Sequence, residues 1–366
     1  MVHILKYREN FMRKFKLVIL MLLLFFLSSS LAFASELKTI DRKAKVNLVW
    51  QPTFIKAADN FALLPPIKGV TIVSPCWFDI INVNGFVKNK ANPAYAKLMH
   101  KKGYEIWALI TNSFDPAITH SVLQSKAARS YAIEQMLAYA EQYQLDGYNL
   151  DFENIEDNDR DLLTNFVQEI TVALKKQKLI VSMDITVPSG DPYWSNCYDR
   201  KALGETLDYV MLMAYDEHHP HSQSMGSTAS INWVKNGLES TLKNIPAEKL
   251  VLGLPLYMRI WQQNKVTGKV MGKTLSMPQA EKLISEKNIH PQWLDGQGQY
   301  YLEYSEGNIN YKVWQENKRS LQLKTSLVNK YNLAGIACWR KGFETPDIWP
   351  ALDDMLKEKA VKLAVG

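Results

Sequence analysis

Leu145–Asn158 reads LDGYNLDFENIEDN. Side chains of a β-strand alternate faces, so Tyr148, Leu150 and Phe152 share one face while Asn149, Asp151 and Glu153 share the other. Burying carboxylates is costly unless they are paired or used. A strand with one fully apolar face and one acidic face fits the wall of a closed barrel, where the apolar row meets surrounding helices and the polar row lines the interior. That row climbs toward the carboxyl end, where barrel enzymes place their active sites, and Glu153 stands at its top.

Seven further runs rich in apolar and β-branched residues recur along the chain, at Lys45–Trp50, Val70–Phe78, Glu105–Asn112, Leu179–Thr186, Tyr209–Glu217, Val251–Tyr257 and Gly335–Arg340. Between them, Ser125–Tyr143, Asp159–Lys176 and Ile231–Lys243 carry apolar residues at helical spacing. Eight strands alternating with helices predict an α/β fold, the (β/α)8 TIM barrel. The interval from Val251 to Gly335 is twice the longest of the others, which predicts a small α+β insertion over about residues 260–325, read as a helix followed by short antiparallel strands.

The chain of 366 residues is 47% apolar and 22% charged, a globular composition. Its net charge of +6 is spread without a basic block, which argues against nucleic-acid binding and suits work near an anionic surface such as a bacterial wall. Basic residues, the apolar run Leu17–Leu27 and the ending Ala32-Phe33-Ala34 form a secretory signal peptide over residues 1–34. The run is short for a membrane span. Cleavage after Ala34 leaves a catalytic domain of residues 35–366, secreted or wall-associated and expected to be monomeric, with an uncleaved anchor as the alternative. The odd number of cysteines, Cys76, Cys197 and Cys338, reads as three small buried hydrophobes, with one disulfide plus a free thiol as the alternative.

Asp151 and Glu153 lie about 7 Å apart along one face, a spacing that disfavours ionising both. The drier one holds its proton near neutrality. Glu153 is thus the candidate acid and Asp151 its charged neighbour, a pairing suited to protonating the leaving oxygen in glycoside hydrolysis. The plain alternative is that both cap the next helix or bind backbone amides.

Asp146-Gly147-Tyr148-Asn149-Leu150-Asp151-Phe152-Glu153 resembles the D-G-x-D-x-D-x-E signature of glycoside hydrolase family 18, with Asn149 in place of the middle Asp. That Asn and Phe152 resemble the bacterial branch of spore-cortex-lytic N-acetylglucosaminidases. Met213-Ala214-Tyr215-Asp216, followed by Glu217-His218, is similar to the family's M-x-Y-D on the sixth barrel strand, and Ala229–Trp233 and Gly335–Arg340 are similar to the same branch. The third strand departs, reading Trp107–Asn112 where many chitinases have S-x-G-G.

The resemblance implies substrate-assisted hydrolysis with retention, in which the sugar's own acetamido oxygen attacks the anomeric carbon. Glu153 would protonate the glycosidic oxygen, Asp151 orient the acetamido group, Tyr215 hydrogen-bond its oxygen and Asp216 support the site. Trp339 would floor the sugar site. Asn149, Met213, Trp77, Asn112, Asp184, His218, Tyr257 and Trp314 are further candidates for contacting substrate, each also open to a packing or capping role. Three histidines in a Pro-containing loop, His218, His219 and His221, do not make a convincing metal site, and no cofactor is expected. The substrate read from these residues is an N-acetylglucosamine glycan, foremost peptidoglycan. Chitin or chitooligosaccharide is the alternative, and a non-catalytic lectin on the same barrel is the rival from another class.

Overall fold

Strand β1 (Val46–Gln51) is buried along its whole length and pairs in parallel with Gly335–Cys338 on one side and Ile72–Pro75 on the other, and the remaining strands link those two in an unbroken row, so the sheet closes on itself. The computed structural model describes residues 44–52 and 66–357; the leader-like segment over residues 1–34 lies outside the described residues. In chain order after β1 come β2 (Ile72–Ile80), β3 (Val87–Asn89), α1 (Pro93–Lys101), β4 (Glu105–Thr111), α2 (Pro116–Gln124), α3 (Lys126–Tyr143) and β5 (Gly147–Asp151). Then follow α4 (Arg160–Lys175), β6 (Ile180–Thr186), α5 (Arg200–Thr206), β7 (Tyr209–Met213), α6 (Ile231–Thr241) and β8 (Leu250–Pro255). The ring runs β1, a final strand β14 (Gly335–Trp339), β8, β7, β6, β5, β4, β2 and back to β1, with β3 added antiparallel to β2. This is the expected (β/α)8 barrel.

The two faces of β5 go where alternation sends them. Tyr148, Leu150 and Phe152 join the layer between barrel and helices, where Phe152 stacks on Phe166 of α4 at 6.1 Å and the Tyr148 hydroxyl donates to the Met136 carbonyl of α3 at 2.8 Å. The barrel interior is a separate apolar cluster that includes Leu48, Trp50, Ile72, Trp107, Ile180 and Met211. Gly147 has no side chain because a Cβ would lie 2.6 Å from the Ile180 carbonyl oxygen, where β5 and β6 meet.

Between β8 and β14 the chain forms a second sheet from β9 (Tyr257–Asn264), β10 (Val270–Ser276), β11 (Gln292–Leu294), β12 (Gln299–Glu306) and β13 (Ile309–Gln315), all antiparallel in the order β10-β9-β13-β12-β11. Helix α7 (Met277–Lys287), opened by a Ser276–Gln279 capping box, shares an apolar core with Leu302 and Val313. Two strands precede this helix where the sequence suggested none. The barrel strand ends at Pro255, and Tyr257, read as its last residue, begins the first strand of the appended sheet. Helix α8 (Lys318–Lys330) returns the chain to β14, and α9 (Ile348–Lys357) packs beside α8.

Candidate active site

The inward row of β5 forms a polar column inside an otherwise apolar barrel. Asn149 is fully buried: its Oδ1 accepts from Trp50 Nε1 at 2.6 Å, and its Nδ2 donates to Asp184 Oδ1 at 2.8 Å and Ser182 Oγ at 3.2 Å. Trp50 meets Tyr215 edge-on at 6.5 Å and Trp339 at 6.1 Å, so three aromatic rings gather around the column. Both Tyr215 and Trp339 are half-buried.

Strand β5 ends at Asp151, yet Glu153 keeps the strand's alternation because Asn112 clamps its backbone. Glu153 N donates to Asn112 Oδ1 at 3.1 Å, and Asn112 Nδ2 donates back to the Glu153 carbonyl at 2.8 Å. Tyr198 adds a third tie, its hydroxyl donating to the Phe152 carbonyl at 2.8 Å. The chain then turns away at Asn154, with φ 54°.

Burial raises the pKa of both carboxyls. For Asp151 the rise is to about 7, opposed by a hydrogen bond from Glu153. Glu153 is pushed well above the usual carboxylate range, first by burial, then by the Asp151 charge and their mutual hydrogen bond, and last by Asp216. The pair therefore shares one proton near neutrality, with Glu153 as the protonated partner and Asp151 as the anion. Asp151 Oδ1 is buried and has no hydrogen-bond partner. The Tyr215 phenol, also held neutral by burial, feels the charges of Asp184, Asp151 and Glu153 and makes no hydrogen bond to protein among the described residues. A buried anionic oxygen without a donor and a phenol without a partner are complementary to a group carrying both N–H and C=O.

The appended sheet completes the site. Asp216, at φ 61°, accepts from the Tyr257 hydroxyl at 2.7 Å and from Arg259 Nη2 at 2.6 Å. Trp261 Nε1 donates to the Gly226 carbonyl at 2.8 Å, while Ser227 Oγ donates to Gln299 at 2.5 Å and Gln299 donates onward to Glu316 at 2.6 Å. Glu316 pairs with Lys324 of α8 at 2.8 Å, both side chains fully buried. The loop after β7 that carries Tyr215 and Asp216 is thus fastened to a buried ion pair in the insertion. Trp50, Arg259, Trp261 and Gln299 were not anticipated from sequence; the single signal was a lone arginine within the apolar run Tyr257–Trp261.

Several sequence-level candidates take other roles. Trp77 is 3% exposed and packs outward against Tyr95 and Tyr143, at 5.6 and 6.0 Å, so it belongs to the layer under the helices and not to a sugar groove. Asn112 spends its amide on Glu153 and Thr119 and has nothing left for sugar hydroxyls. Asp184 is 1% exposed inside the barrel, beneath the mouth. Tyr257 is buried behind Asp216. Trp314 is half-buried against Tyr301 at 5.0 Å, on the insertion face it shares with Trp261, and Met213 ends β7 on the same face as Met211. His218 sits over Gly226, where a Cβ would come 2.3 Å from its ring, and its Nδ1 lies 3.0 Å from the Ser227 carbonyl, so it braces the loop. All three cysteines are free thiols.

A TIM barrel with a buried acid pair at the carboxyl end of its fourth strand defines a glycosidase class, and residues 86–343 match the sequence model of glycosyl hydrolases family 18. The chain belongs to that family and is a glycosidase. It is 29% identical over 268 residues to the uncharacterized glycosylase YvbX of Bacillus subtilis, covering 70% of this chain and 76% of YvbX. It is 26% identical over 254 residues to the cortical fragment-lytic enzyme of B. subtilis, covering 67% of this chain and 59% of that enzyme. The spore cortex-lytic enzyme SleL of Bacillus megaterium superposes with TM-score 0.76 at 22% identity, over 87% of this chain and 77% of that structure, a likeness of fold.

Proposed function

We propose that this glycosidase cleaves the β-1,4 bond following an N-acetylglucosamine residue in peptidoglycan, with retention, using the substrate's acetamido oxygen as nucleophile. The carrying observation is that the Asp151 and Glu153 carboxyls sit close enough to share a proton. Two carboxyls that flank a glycosidic bond stand about 5–5.5 Å apart for an enzyme nucleophile, or about 6.5–9.5 Å for an intervening water. Groups that touch each other fit neither geometry, but they fit an acid beside the anion that steers a neighbouring acetamide.

In this scheme Glu153 donates its proton to the leaving oxygen and recovers one from water. Asp151 Oδ1 accepts the acetamido N–H and, as an anion, stabilises the positive charge that spreads onto the oxazolinium ring. The Tyr215 hydroxyl donates to the acetamido oxygen and fixes it for attack. Asp216, held by Tyr257 and Arg259, fixes the backbone that carries Tyr215. Peptidoglycan is favoured over chitin by the lytic relatives, and the leader over residues 1–34 would deliver the chain to the wall.

The test is to incubate the mature chain and its Glu153→Gln variant with muropeptide-derived glycans and with chitooligosaccharides, and to identify new reducing ends by mass spectrometry. N-acetylglucosamine ends from the first substrate alone, absent with the variant, are expected. Cleavage of chitooligosaccharides alone overturns the substrate, and binding without cleavage by the wild type turns the protein into a lectin.

A further inference from the structure

We propose that Asp184 is a positioning residue of this site, which keeps a proton at neutral pH and offers it to the unpartnered Oδ1 of Asp151. Parallel pairing of β5 with β6 aligns Gly147 with Ile180 and Asn149 with Ser182. One step further along the same face, Asp151 stands level with Asp184 on strands about 4.8 Å apart. Both side chains point into the barrel.

Asn149 decides which of them can find a donor. Its Oδ1 is occupied by Trp50 Nε1, so its amide cannot be turned round, and both Nδ2 hydrogens go to Asp184 Oδ1 and Ser182 Oγ. Nothing remains for Asp151 Oδ1, which is buried without a partner. A protonated Asp184 is the donor on the adjoining strand, with its other oxygen already accepting from Asn149.

The surroundings favour that proton. The titratable groups facing Asp184 are Asp151 and Glu153 from β5, Cys76 from β2 and Tyr215 from the segment after β7, while its cross-strand neighbour on β7 is Met211. Burial keeps the Cys76 thiol and the Tyr215 phenol neutral. No lysine or arginine forms an ion pair with any of the three carboxyls among the described residues. Burial and the Asp151 charge together push Asp184 well above the usual carboxylate range, against the opposing hydrogen bond from Asn149. Three adjacent carboxyls without a cation, Asp151 and Asp184 buried and Glu153 half-buried, hold one negative charge, and the acetamide chemistry requires that charge on Asp151. Asp184 thus carries the second proton and steadies the anion from the side.

Two measurements test this. Infrared difference spectra at pH 8.5, above the titration of Asp151 near 7, in the Glu153→Gln background should show a protonated-carboxyl stretch that vanishes when Asp184→Asn is added; its absence before the second substitution overturns the proposal. This arm needs no activity. The kinetic arm rests on the hydrolase reading: Asp184→Val removes the donor, so the acid limb of kcat/KM should move up by about one pH unit. Asp184→Asn keeps one donor and one acceptor and should restore the limb. Equal displacement by both variants, or a fall in kcat with the limb unmoved in Asp184→Val, overturns the positioning role.

Discussion

Replacing Asp151 with Asn should abolish activity and stabilise the fold, in a pH-dependent way that the structure quantifies. The Asp151 carboxyl, 8% exposed, is raised from 3.8 to about 7 chiefly by burial, so little solvent discount applies. In the unfolded chain it ionises near 3.8; in the folded chain it holds its proton to about 7. Between those values the folded state binds more protons, so stability falls as pH rises and the full penalty is present above about 7. At ~1.4 kcal/mol per pH unit, that span amounts to about 4 kcal/mol. An amide of the same shape cannot ionise and escapes the penalty. Urea unfolding of wild type and Asp151→Asn should therefore coincide within ~1 kcal/mol at pH 4 and diverge in favour of the variant by up to about 4 kcal/mol at pH 8. A gap independent of pH, or one favouring wild type at pH 8, would refute the assignment of Asp151 as a buried anion whose cost is borne for function.

Tyr215→Phe should lower kcat by ~10- to 100-fold with unfolding free energy changed by less than ~1 kcal/mol, because its hydroxyl has no protein partner; steady-state kinetics and urea titration check both halves. Arg259→Met should leave the Asp216 charge uncompensated and raise the Glu153 pKa further, moving the alkaline limb of kcat/KM to higher pH at a stability cost of about 2 kcal/mol; an unmoved limb would show that Asp216 does not reach the acid. Trp77→Ala should cost about 3–5 kcal/mol of stability with KM unchanged, since the ring packs under the helices, and a raised KM with intact stability would return it to the groove. Lys324→Met should destabilise by about 3–5 kcal/mol by stranding Glu316, with most of that recovered in Glu316→Gln/Lys324→Met, as read by calorimetry.

The strand bearing Asp151 and Glu153 is legible because period-two alternation is a local property, and the seven other barrel strands are legible as short runs of apolar and β-branched residues, equally local. Their ends were less so: Tyr209–Glu217 read as one run, but the strand stops at Met213 and the backbone reverses at Asp216. Parity, and not nearness to a strand end, decides the place of Trp77: Ile72 and Cys76 face inward, which sends Trp77 out. Asn112 and Asp184 read as polar groups near the mouth, but their duties depend on partners 41 and 35 residues away. Trp50 and Arg259 carry no local mark for the same reason, their partners being 99 and 43 residues distant. Nothing within a short window marks such pairs.

The closing seam of the ring joins Val46 to Gly335, almost the full length of the described chain apart. Until Gly335–Trp339 takes its place, β1 and β8 each present a bare row of backbone donors and acceptors. Assembly of the barrel is consequently held back by the strand that closes its ring, and a chain that has not yet made that strand is the form in which the barrel is most exposed to mispairing.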